Sequence, residues 1–124
     1  MTQQSRISAE IPPETLAECT SLLQQLAAQL QPFLQTLTEE ERRALPKLGD
    51  KTVGFMEKLV SYTDTHQEFI PTYMDTTEMK RDFTLQTALR PLNALLTTLA
   101  TQVSDTMMLA GSEAYDAGMK AYLS

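Results

Sequence analysis

The sequence predicts an all-α fold: an up-and-down bundle of three to four main helices, with one or two short helices and an extended N-terminal arm over residues 1–12. Three observations predict it. Leu (18), Ala (12) and Met (7) far outnumber Ile and Val together (6), so the apolar content comes from helix formers and not from strand formers. Two long stretches step their leucines by alternating threes and fours, the spacing of one helix face. Several Thr-x-x-Glu and Asp-x-x-Glu tetrapeptides have the form of capping boxes, which mark helix starts. The 124 residues suit a single domain, 1–124, and a chain that is 42% hydrophobic and 21% charged is too apolar to stay disordered.

Arg6 to Ile11 alternate apolar and polar residues up to Pro12 and Pro13, which reads as an extended arm laid across helices through Ile7 and Ile11. Pro13 suits a first helical position. After it Leu16, Cys19, Leu23, Leu26, Leu30, Phe33 and Leu37 form a heptad stripe, with a kink or short break expected at Pro32. Cys19 lies on that stripe and is expected to be a buried thiol. Thr38 to Glu41 should open a short helix that stops before Pro46, and Gly49-Asp50 should form a turn and N-cap. The next helix turns Val53, Met56, Leu59, Val60 and Thr63 inward, with Phe55 and Tyr62 flanking. Thr65 to Glu68 reads as a second capping box opening a helical turn that Pro71 ends, and Asp75 to Glu78 as a third. The longest periodic stretch follows, through Met79, Phe83, Leu85, Leu89, Leu92, Leu96, Leu99 and Val103, with a bend expected at Pro91. Beyond Asp105 the stripe continues in small residues, and a break or bend is expected near Gly111. No C-cap signal precedes Ser124, so the last helix is expected to continue past it.

Charge and chemistry exclude several function classes. Ten basic against sixteen acidic residues, net −6, is the wrong sign for a nucleic-acid binder. No apolar run approaches 18 residues, which argues against a membrane span, and no apolar segment follows the polar N-terminus as a secretory signal would. A single cysteine fits a reducing compartment, and the location expected is cytoplasmic. The one histidine, His66, sits in a polar segment and is expected to be exposed. With no Glu-x-x-His pair, no base beside a nucleophile and no Gly-rich phosphate loop, neither an enzyme nor a metal or cofactor site is expected.

The candidate interaction face is the small-residue stripe Ala110, Gly111, Ala114, Ala117, Gly118 and Ala121, flanked by Tyr115 and Tyr122, with Met108 and Met119 nearby. So little projects from it that another helix can approach closely, either from the same chain or from a second protomer. A candidate basic patch, Arg42, Arg43, Lys47 and Lys51, lies in a stretch of net +3 from residue 42 to residue 58. It could meet an acidic partner or anion, or simply be solvated.

The segments Glu41 to Lys51 (ERRALPKLGDK) with Phe55 to Lys58, and Leu109 to Tyr115 (LAGSEAY), resemble a group of small bacterial helical proteins to which no activity is attached. The resemblance implies a bacterial, cytoplasmic, helical protein and carries no cofactor or site residues with it. The function expected is therefore a non-enzymatic protein-interaction or structural module that associates with itself or another protein. The alternative is a helical bundle that binds a small apolar ligand in a cavity left where Pro32 and Pro91 push helices apart, lined by Met or Phe.

Overall fold

The computed structural model describes residues 6–124, which are helical with no strand among them. The α-helices are α1 (Pro13–Leu30), α2 (Glu39–Ala44), α3 (Asp50–Thr65) and α4 (Thr76–Leu123), with single 3-10 turns at Gln31–Phe33 and Gln67–Phe69. The chain divides into two compact units, one of Met1–Leu45 with Leu109–Ser124 and the other of Pro46–Met108. The part of the arm before Arg6 lies outside the described residues.

In the first unit, Pro13 occupies the first turn of α1, where its missing N–H leaves no bond unmade, and Glu14 complements the positive end of the helix dipole. α1 stops at Leu30, so the helix does not carry the heptad on to Leu37. Pro32 cannot donate to Ala28 and would press its ring on that carbonyl, so the backbone tightens into the 3-10 turn and Leu34 becomes extended. That turn is the one element whose backbone comes close to α1. Leu26 and Leu30 beside it are half-buried, whereas Leu16, Leu22 and Leu23 are more than half exposed. Cys19 is exposed as well, which corrects the expectation of a buried thiol: the 3-10 turn that α1 meets lies beyond the other end of the helix.

α2 forms as expected. The Thr38 N–H donates to Glu41 Oε1 (2.9 Å) and the Glu41 N–H donates to Thr38 Oγ1 (3.1 Å), a complete capping box. Leu45 is extended ahead of Pro46, which ends the helix.

The second unit is built on α3 and the first part of α4. Gly49 alone caps α3, and Asp50 is already helical, so the cap is not an Asp side chain. The face expected to point inward does so. Val53, Met56, Leu59 and Val60 are half-buried and Thr63 is buried, while Phe55 and Tyr62 stay exposed on the flanks. The Thr63 hydroxyl donates to the Val60 carbonyl (2.7 Å), which satisfies this buried side chain. On α4 the half-buried residues Met79, Phe83, Gln86 and Arg90 recur at fours and threes, the stripe that answers this face. Lys80 is paired with Asp64 near one end of α3, and Arg90 Nη1 reaches Asp50 Oδ1 (3.4 Å) at the other, so the two segments run antiparallel. Arg90 Nη2 also donates to the Leu48 carbonyl (3.4 Å).

Two helix boundaries differ from expectation. Thr65 is the last residue of α3, where its hydroxyl meets the Ser61 and Tyr62 carbonyls and His66 Nδ1. It therefore caps no new helix, and residues 67–69 form only a 3-10 turn. At the start of α4 the Glu78 N–H donates to Asp75 Oδ1 (3.0 Å), while the Glu78 carboxylate turns forward to Arg81 (2.9 Å). α4 then runs 48 residues as one helix that includes Pro91 and Gly111, so there is no break at Gly111. At 1.5 Å per residue that is about 70 Å of helix. Among the described residues no helix is long and apolar enough to cross a membrane.

The pairing of α3 with α4 is the main apolar contact of its unit, and substitutions on its two sides should separate. Phe83→Ala should lower unfolding free energy by about 1–2 kcal/mol, the cost of truncating a half-buried aromatic. Phe55→Ala, on the exposed flank of α3, should change it by less than about 0.5 kcal/mol. Urea unfolding followed by circular dichroism reads both.

Candidate interaction face

Residues 109–123 of α4 carry all eight positions of the candidate face. Ala110, Ala114, Ala117 and Ala121 form one stripe at fours and threes. Gly111, Tyr115, Gly118 and Tyr122 form a second stripe one position on, beside the first. Among the described residues nothing packs closely at the glycines, where an added Cβ at Gly111 or Gly118 would meet nothing within 4 Å. Tyr115 and Tyr122 are 71% and 82% exposed, so the aromatic edge of the face is in water. Lys120 pairs with Asp116 one turn back (3.0 Å), a surface contact of the helix with itself.

The arm reaches the start of this face. Ile7, Ser8, Ala9 and Glu10 line a shallow cleft with Ala110, Glu113 and Ala114, and the backbone N–H of Arg6 donates to Glu113 Oε1 at 2.5 Å. Ile7 is half-buried, as expected of a residue lying on a helix, whereas Ile11 is 63% exposed and takes no part. Sequence reading missed Glu113. A lone carboxylate beside an alanine stripe has no motif to mark it, and its role depends on where the arm passes.

The basic candidates are all exposed, and they do not belong to one unit. Arg42 and Arg43 are in the last turn of α2 in the first unit, while Lys47 and Lys51 are in the second. Arg42 donates to the Leu37 carbonyl (2.9 Å), which ties the start of α2 to the chain before it. His66 is exposed, its ring stacked on Tyr62 at 4.5 Å between centroids. Among the described residues no group of three or more His, Cys, Asp or Glu side chains is placed to hold a metal ion.

A second feature escaped the sequence. In the α3–α4 seam Gln86 Oε1 and Arg90 Nε are buried without a hydrogen-bond partner. Beside them an open cleft of about 450 Å³ is lined by Leu48, Met56, Met79, Asp82, Phe83 and Gln86. Met56, Met79 and Phe83 are in its lining, but it lies along the α3–α4 seam and not at Pro32 or Pro91, where a cavity was expected. Comparison with protein-family models, with curated proteins and with solved structures finds no match to this chain.

A perturbed acid lies at the head of the helix that carries Arg42 and Arg43. The Thr38 backbone N–H first, and its side chain second, hold the Glu41 carboxyl below the usual glutamate value, against a small opposing effect of burial. A depressed folded-state value means the capping contribution is present above the unfolded value and is lost as pH falls through the folded one. In an NMR titration Glu41 should therefore titrate below an ordinary glutamate, and Thr38→Ala, which removes the hydroxyl and keeps the backbone N–H, should raise its midpoint only part of the way toward the ordinary range. An ordinary midpoint in the unsubstituted chain would contradict the box.

Proposed function

We propose that the chain is a non-enzymatic interaction or structural module that associates with copies of itself, acting in the cytoplasm of a bacterium. The observation that carries this reading is the exposure of its apolar residues. Among the described residues no hydrophobic side chain is buried, while Leu22, Leu23, Leu95, Leu99 and Val103 on the leucine-rich helices are half exposed or more. Burial of apolar surface is the main term that offsets conformational entropy, at roughly 25 cal/mol per Å², and a chain that buries so little gains most by association. In this reading the up-and-down bundle expected of the sequence is completed between copies, each behaving as one domain.

The face from Ala110 to Tyr122 suits the contact because its glycines are open and its tyrosines are placed as rigid anchors beside them. A net charge of −6 disfavours nucleic acid as the partner. A second reading, a binder of a small apolar ligand, is supported by the Met- and Phe-lined cleft between α3 and α4. No cofactor is part of either reading.

Light scattering across concentrations tests the first. It should give a dimer or larger species near micromolar concentration, and Gly118→Leu, which fills the open stripe, should shift the chain toward monomer. A monomer at every concentration would overturn self-association.

A further inference from the structure

We propose that the cleft between α3 and α4 binds a small organic cation with an apolar body, an alkyl- or arylammonium ion, and that Asp82 is its counter-ion. The inference rests on the second reading above, a small apolar ligand in this cleft, and adds the charge that the ligand carries. At about 450 Å³ the cleft falls in the range of small-molecule sites, roughly 300–1,000 Å³. Leu48, Met56, Met79 and Phe83 are half-buried and form its apolar lining, so an alkyl or aryl body displaces water from surface that folding leaves partly uncovered.

The sign of the charge follows from the two polar side chains of the lining, Asp82 and Gln86. Asp50, Asp64 and Glu78 each hold a base, respectively Arg90, Lys80 and Arg81. Asp82 is exposed, and among the described residues its carboxylate has neither an ion pair nor a hydrogen bond. Gln86 Oε1 is buried without a donor. Both side chains therefore bring an unused acceptor, and no Lys or Arg lines the cleft to balance them. Arg90, one turn past Gln86, is turned to Asp50 Oδ1 and the Leu48 carbonyl instead. An anionic head would face Asp82 with no base in the lining to receive it, whereas an ammonium gains an ion pair there. Phe83 and the two methionines suit the same charge, since an aromatic face attracts a cation and thioether sulfur is polarizable. One carboxylate is too few ligands for a metal ion, so the cation is organic.

The net charge of −6 draws cations to the whole surface, so the test separates the cleft from that general attraction. Octylammonium, octanol and octanoate, matched in length, are titrated into the full chain with isotope-labelled methionine methyl groups read by NMR. Met56 and Met79 report the cleft, and Met107 and Met108, each 70% exposed and outside it, report the surface. Octylammonium should shift Met56 and Met79 and bind about threefold or more tighter than octanol, with octanoate weakest. Asp82→Asn should remove that preference and leave octanol binding as it was. Glu57→Gln, which deletes an equal charge outside the cleft, should keep the preference. Equal binding of the ammonium and the alcohol, or tighter binding of octanoate, would overturn the cation and leave the apolar-ligand reading standing. A preference that survives Asp82→Asn would overturn it too, since the attraction would then be to the overall charge. If none of the three shifts Met56 and Met79, the ligand reading fails and the cation fails with it.

Discussion

Hydrophobic burial holds helices together, and in the second unit it is concentrated along one seam, where α3 from Val53 to Thr63 meets α4 from Met79 to Leu92. Asp64 with Lys80 and Asp50 with Arg90 fix the ends of the seam. These exposed or half-exposed ion pairs add little energy, but they set register. The packing also explains how α4 passes Pro91. A proline inside a helix costs about 3 kcal/mol or more. Just before it Met79, Phe83, Gln86 and Arg90 are half-buried on the side that faces α3, so the helix is supported up to the point of the defect. Pro32 has no such support, and the same defect there ends α1 in a 3-10 turn.

Legibility in the sequence followed how local the cause was. The inward face of α3 was readable because period and residue type agreed over four turns, and the Thr38–Glu41 box because both of its bonds lie within four residues. The all-α class followed from composition. The bundle could not be read the same way, because heptads say which residues want cover and not which segment supplies it. Cys19 shows the difference: it lies on the heptad stripe of α1 and is nevertheless exposed. Gly111 misled for an energetic reason. One glycine costs about 1 kcal/mol in a helix, which neighbours of high helix propensity such as Leu109, Ala110 and Ala114 can carry. Thr65 misled because a threonine followed by Glu at the third position can as easily finish a helix by bonding back to its carbonyls.

The candidate face was legible as a stripe but not in its surroundings. Alternating Ala and Gly at helical spacing is visible in any printout, whereas the openness of Gly111 and Gly118 and the approach of the arm to Glu113 depend on the fold. The leucine-rich helices and the alanine-rich segment then divide the work. Leucine is the commonest of the large apolar residues that water still reaches, and the alanines and glycines form a face from which little projects. That division accounts for a chain rich in helix formers that buries almost nothing by itself.

The central claim is that this apolar surface is covered by association, which makes folding and assembly one equilibrium. Thermal unfolding followed by circular dichroism over a hundredfold range of protein concentration tests it most directly, because binding that favours the folded state makes the midpoint depend on concentration. The account predicts a midpoint that rises steadily with concentration, and a midpoint independent of concentration across that range would contradict it.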